Sequence, residues 1–109
     1  MKSHQLIDAR SLAFGRAIAA QLTEQPELVE AAKATLARWL QTCSTRTRPS
    51  LEEWRTTLDG PLEGIAILLT SPDDRSVRLR QSNPFAGLLP PAKRTAILKD
   101  FENHYAASA

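Results

Sequence analysis

The sequence has one cysteine, no long apolar run and no segment of period-two alternation rich in β-branched residues. Because Cys43 has no second cysteine to pair with, an intrachain disulfide is excluded and a reducing, cytoplasmic compartment is expected. The longest apolar run, from Ile65 to Leu69, is far shorter than the roughly 18 residues of a membrane-spanning helix. The N-terminal residues also lack the charged-then-apolar layout of a secretory signal. Without period-two alternation we predict no β-strand.

Motifs that carry catalysis are also missing. The chain contains no H-x-x-x-H, C-x-x-C, Walker-type or G-x-G-x-x-G pattern. Cys43 lies in a polar stretch, and neither histidine has a suitable catalytic partner close to it in sequence. Asp73 and Asp74 open a predicted helix, where complementing the helix dipole is a better explanation than binding a metal. We therefore predict a protein that is not an enzyme, with no catalytic residue, metal or cofactor.

Length and composition fit one folded domain over residues 1–109. The chain is 42% hydrophobic and 24% charged, which is too apolar for a disordered protein and typical of a globular one. Residues 1–7 and 106–109 are predicted to be frayed ends.

Apolar residues recur at helical spacing, and prolines mark where one helix ends and the next begins. The predicted fold is therefore all-α, a compact bundle of five to six short helices with no sheet. We expect helices to begin at Asp8 or Arg10 (ending at Gln25), Pro26, Pro49, Pro61, Ser71–Pro72 and Pro91.

Local signals add four predictions to this scheme. Gly15 weakens the middle of the first helix, which a close helix crossing would explain. Ser50 and Glu53 are spaced as a capping box for the third helix, and Ser71 is placed to cap the fifth. The polar stretch from Gln41 to Arg48 has no period and is predicted to be the longest and most mobile loop.

The apolar stripes of these helices predict the core. Trp39 and Trp54 both lie on such stripes, so we expect both in the core rather than in an interface. The stripe of the last helix consists of Ile97, Leu98, Phe101 and Tyr105.

Charge is distributed unevenly along the chain. Between Arg75 and Lys99 there are six basic residues and no acidic one, while the remainder holds eight basic and twelve acidic residues. Such asymmetry favours an anionic partner, either a nucleic acid or an acidic protein surface.

The stretch from Arg78 to Pro91, RLRQSNPFAGLLPP, is called here the 78–91 segment. Its prolines prevent regular helix, yet it is more apolar than a surface connection usually is. Its apolar side chains must cover either this chain's own core or another molecule, and Arg80 to Asn83 could instead cap helix ends and hold the segment in place. If another molecule is covered, the predicted contact residues are Arg75, Arg78, Arg80, Phe85, Leu88, Leu89 and Arg94.

A DNA-binding alternative comes from the order of elements between Pro61 and Ser82. A helix, a short turn and a second helix carrying Arg75, Arg78 and Arg80 are arranged like a helix-turn-helix. Proline and two aspartates at the start of the second helix would repel DNA where base contacts usually fall, so this layout supports only the alternative prediction, a small DNA-binding regulator.

Three parts of the chain resemble small helical antitoxin-like proteins of bacterial toxin–antitoxin loci. They are RSLAFGRAIAAQL (Arg10 to Leu22), LARWL (Leu36 to Leu40) and the stretch from Leu51 to Leu98, in which RLRQS-PFAG-L-P is the most specific part. The resemblance implies that the protein neutralises a cognate toxin by direct contact, with operator DNA as a further partner. It also implies a nucleotidyltransferase-like toxin. The sequence does not indicate an oligomeric state.

Overall fold

The computed structural model describes the backbone of residues 3–108 and the side chains of residues 9–103. Over that range it contains helices and no strand, which confirms the all-α prediction. None of the helices described is long and apolar enough to cross a membrane. The elements in order are α1 (Ser3–Glu24), α2 (Leu28–Thr42), α3 (Arg48–Leu58), α4 (Leu62–Thr70), α5 (Asp74–Arg80), a 3-10 turn (Ala86–Leu88) and α6 (Pro91–Ser108).

Prolines punctuate the helices as predicted. Pro49 lies in the first turn of α3, Pro61 immediately precedes α4, and Pro91 is the first residue of α6. Pro26 lies in the tight turn that leads into α2. The start of α1 was placed too late, because the helix begins at Ser3. The fraying of residues 1–7 and 106–109 stays a prediction, because the side chains of these residues lie outside the described residues.

The predicted caps are wrong in detail. Ser50 lies inside α3, where its hydroxyl accepts a hydrogen bond from Arg78, and Glu53 binds arginines of α5 instead of completing a capping box. At α5 the cap is Asp73, whose carboxylate accepts from the backbone N–H of Ser76 at 2.7 Å. Tertiary partners engage Ser50 and Glu53 in place of the predicted capping box, whereas the cap of α5 is a local contact between residues three positions apart.

The connection between α2 and α3 is shorter and better held than predicted. Helix continues to Thr42 and resumes at Arg48, which leaves only residues 43–47 between them. The Ser44 hydroxyl accepts from the Thr47 backbone N–H at 3.1 Å, and the Arg48 guanidinium donates to the Leu40 carbonyl at 2.9 Å. These bonds tie the connection to the ends of both helices.

A close crossing of α1 and α4 lies at the centre of the molecule, as Gly15 predicts. A Cβ atom at Gly15 would lie 1.9 Å from the carbonyl oxygen of Leu69 and 3.3 Å from the Cδ atom of Arg80. Only glycine lets the two backbones approach this closely. The core around the crossing contains Ile18, Leu22, Ala32, Leu36, Leu51, Trp54, Leu58, Ile65, Leu68, Leu69, Leu79, Phe85 and Leu89.

Helix α6 packs along α1 and covers one side of it. Phe101 is buried, while Ile97 and Leu98 are half-buried, so these three residues face inward as the stripe predicts. The side chain of Tyr105, the fourth residue of that stripe, lies outside the described residues.

Candidate partner-binding surface

The apolar side chains of the 78–91 segment cover this chain's own core. Phe85 is 1% exposed and Leu89 is 5% exposed, while Leu88 is half-buried against the same cluster. The Asn83 side chain accepts from the Phe85 backbone N–H at 2.9 Å and sets the bend. Of the two interpretations left open, the structure supports self-packing. The expectation that Phe85 and Leu89 act as exposed anchors is corrected, because neither has surface to offer a partner.

Arg80 is also removed from the predicted contact set. Its side chain is only 5% exposed and extends beneath the surface to the end of α4. There the guanidinium donates to the carbonyls of Leu68 (2.9 Å) and Ser71 (2.7 Å), and to the Ser11 hydroxyl of α1. A cation at a helix C-terminus satisfies carbonyls that have no partner within the helix. Arg80 therefore joins α1, α4 and α5, as its predicted capping role requires.

Arg75 and Arg78 are on the surface, but both face an acid. Glu53 of α3 lies 3.5 Å from the Arg75 guanidinium and 3.4 Å from that of Arg78. All three side chains are partly exposed, so these pairs bridge α3 and α5 without being enclosed. Arg94 lies exposed on α6, a helix that packs against α1. The predicted basic residues that remain accessible are thus Arg75, Arg78 and Arg94, on two different helices.

The helix-turn-helix alternative also loses contact residues. Its second helix, α5, spans Asp74–Arg80 and is only seven residues long. Leu79 and Arg80 point into the protein, which leaves Arg75 and Arg78 to reach a nucleic acid while Glu53 competes for both.

The surface that sequence reasoning missed is centred on Trp39. This residue was predicted to be core, but 37% of it is exposed. It forms one wall of an open depression of about 340 Å³ between the end of α2, the start of α3 and the 78–91 segment. We call this the Trp39 depression, and its lining residues are Trp39, Thr42, Cys43, Thr47, Leu51 and Ser82.

None of the six residues that line the Trp39 depression is charged, but they come from two stretches of the chain that are rich in basic residues. Five lining residues come from residues 31–51 and the sixth, Ser82, from residues 75–99. These two stretches hold ten of the fourteen basic residues of the chain and none of its twelve acidic residues. The fold therefore brings one part of each stretch to the exposed tryptophan. Their basic side chains are directed to several places: Arg80 is buried, Arg75 and Arg78 face Glu53, and Lys33 pairs with Glu30 and Asp59. The signal in the sequence is that residues 31–51, like residues 75–99, include basic residues and no acidic one.

The Trp39 depression presents three hydroxyl groups, one thiol and one indole ring. Cys43 is half-buried, and its thiol is 3.7 Å from the Leu40 carbonyl, so it belongs to the floor. Among the described residues, no group of three or more histidine, cysteine, aspartate or glutamate side chains is placed to hold a metal ion. An exposed indole ring is the one group in this lining that protein interfaces favour.

Comparison with known proteins adds no relative. The chain matches no protein-family model, no curated protein and no solved structure.

Proposed function

We propose that this protein is a non-catalytic cytoplasmic antitoxin that neutralises a cognate toxin enzyme by direct contact, with the Trp39 depression as the contact surface. The resemblance of its sequence to antitoxin-like proteins supplies the class of partner, including a nucleotidyltransferase-like toxin. The single observation that carries the choice of surface is the exposure of Trp39 in the wall of an open depression.

A tryptophan in this position is suited to binding for physical reasons. Tryptophan is among the residues most enriched at the energetic centres of interfaces, because it buries a large area at a small cost in conformational entropy. The Trp39 depression gives an apolar side chain of the partner a place to insert, and the hydroxyls of Thr42, Thr47 and Ser82 border it. The toxin segment that enters it therefore carries an apolar residue flanked by acidic ones.

The basic stretches contribute specificity and speed of association. Arg46 and Arg38 are exposed, on the connection and on α2 respectively, and neither forms a salt bridge with a described acidic residue. Charges at the rim of an interface act mainly on the association rate and on its salt dependence. Reversing Arg46 to glutamate should therefore slow complex formation, most strongly at low salt.

The decisive experiment is co-expression with the toxin encoded by the neighbouring gene. We expect the two proteins to purify as a complex that survives nuclease, and the antitoxin to relieve the growth arrest that the toxin causes. Trp39→Ala should weaken the complex by a factor of about 30, corresponding to a hot spot of about 2 kcal/mol. Ile67→Ala is the matched control, because Ile67 is 65% exposed on α4 and does not line the depression.

Each result has a clear meaning. A folded Trp39→Ala variant that relieves growth arrest as well as the wild type would exclude the depression as the toxin site. A neighbouring gene product that neither binds nor arrests growth would exclude the antitoxin proposal itself. Loss of the retained partner on nuclease treatment, with binding to operator DNA, would favour the DNA-binding regulator.

A further inference from the structure

A second surface, away from the Trp39 depression, lies between α1 and α6. These helices run antiparallel, since Lys93 at the start of α6 donates a hydrogen bond to Gln21 near the end of α1. Toward the start of α1 and the end of α6, the two helices line an open groove of about 690 Å³. We call it the α1–α6 groove, and its lining includes Ala9, Leu12, Ala13, Arg16, Ile97, Asp100, Phe101 and Asn103.

The groove is built from one face of each helix. On α1 its residues follow the spacing i, i+3, i+4, i+7, which places them in one row. Ala9 and Ala13 have short side chains. Because the distance between packed helices depends on the side chains at the contact, another helix is able to approach this row closely. Leu12 and Ile97 are half-buried and form an apolar floor. A surface row of this kind is suited to a helical partner.

The charges on its two walls indicate which partner. Arg16 lies on the α1 wall and Asp100 on the α6 wall, and both are exposed. Neither forms a salt bridge with any other residue whose side chain is described. A partner with charge of one sign would match one wall and be repelled by the other. A partner that presents one cation and one anion would match both.

We propose that the α1–α6 groove is the interface of a homodimer, in which a second copy of this chain packs its own groove face against the first. In a twofold interface the same patch meets itself, so residue i contacts j and residue j contacts i. Arg16 of each copy then pairs with the partner's Asp100, so α1 of one copy lies over α6 of the other. The short alanine side chains on α1 give that helix room to approach. The Trp39 depression is formed by other elements, so a dimer offers two of them.

Sedimentation analysis of the full chain over a range of concentrations tests this. At high concentration the wild type should reach about twice the monomer mass of 12.0 kDa. Arg16→Glu and Asp100→Arg each place like charges opposite one another at two symmetric positions, and each should weaken the dimer at least about tenfold. The double variant R16E/D100R restores opposite charges at both positions and should restore the dimer.

Controls separate a lost interface from lost folding. Arg10→Glu changes the charge of the same helix outside the groove lining and should leave the dimer intact, and circular dichroism should show wild-type helicity for every variant. A wild type that stays monomeric up to about millimolar concentration, where the weakest specific complexes still form, would overturn the proposal. So would a dimer unaffected by either single reversal, or a double variant that remains monomeric.

Discussion

Trp54 and Trp39 lie on helices that pack against each other, yet their surroundings are opposite. Trp54 is fully buried, its indole N–H donates to the Leu79 carbonyl at 2.7 Å, and its ring meets Phe85 edge-on with centroids 6.2 Å apart. Trp39 is more than a third exposed at the rim of an open depression. Both tryptophans lie on the apolar stripe of their helix. The two tryptophans differ in what covers them. Helix α5 and the 78–91 segment pack over Trp54, whereas Trp39 lies at the edge of this cover.

The difference shows that a stripe predicts which face of a helix is apolar and says nothing of what covers it. The cover of Trp54 comes from Leu79 and Phe85, which are 25 and 31 residues further along the chain. One apolar face thus became core and the other became surface through a contact that is distant in sequence. The two tryptophans should therefore respond differently to mutation.

The largest effect is expected from removing the cover of Trp54. Phe85→Ala should lower the free energy of unfolding by about 3–5 kcal/mol, because it empties a fully buried aromatic site. Phe85→Leu retains most of the apolar volume and should cost about 1.5 kcal/mol or less. Urea denaturation measures both values. A loss below about 1 kcal/mol for Phe85→Ala would be a surface-like value and would mean that the segment does not close the core.

The same substitution at both tryptophans tests the comparison directly. Trp54→Phe removes the hydrogen bond to Leu79 and leaves unfilled volume, for an expected cost of about 1–3 kcal/mol. The Leu79 carbonyl keeps the N–H of Ser82 as a partner at 3.1 Å, which limits the cost. Trp39→Phe should change stability by less than about 1 kcal/mol. Equal losses at the two sites, measured by urea denaturation, would contradict the assigned environments.

Local signals were enough to predict much of this fold. Proline has no backbone N–H and a fixed φ, so its positions limited where helices begin. Gly15 correctly predicted a close crossing, because glycine within an alanine-rich helix has a conformational cost that a close helix contact would explain. The 78–91 segment was recognised as a cover over something, and the structure shows that it covers Trp54.

The candidate surface was not predictable in the same way. Trp39 becomes a binding candidate only when Ser82 is seen to border the same depression, 43 residues further along the chain. The use of Glu53 as a partner for arginines also depends on how α3 and α5 meet. In each case the sequence supplied groups of the right type, and tertiary packing selected among them.

A smaller effect is expected at the exposed bridge between α3 and α5, beside Trp54. Glu53→Gln removes the acid that faces both Arg75 and Arg78. Such exposed pairs contribute little, so stability should fall by less than about 1 kcal/mol, and the difference should shrink as salt is added. Glu52→Gln is the control, since among the described side chains Glu52 pairs with arginines of its own helix and with no other cation. If Glu53→Gln costs as much as Trp54→Phe, the bridge rather than the core holds α5 in place.

The smallest effect concerns the cap of α5, the helix that carries Leu79 to Trp54. Hydrogen bonds from the Ser76 side chain and backbone N–H lower the pKa of Asp73 below its ordinary value of 3.8. A carboxylate with a lowered pKa in the folded state stabilises the protein above the unfolded value, and this contribution is lost as the pH falls through the folded value. In a Trp39→Phe background Trp54 is the only tryptophan, so its fluorescence follows denaturation. As the solution is acidified below pH 3.8, the denaturation midpoint should therefore fall more steeply in this background than in the same background with Asp73→Asn. Asparagine caps without titrating, so identical acid profiles for the two proteins would show that the charge of Asp73 does not hold α5 over Trp54.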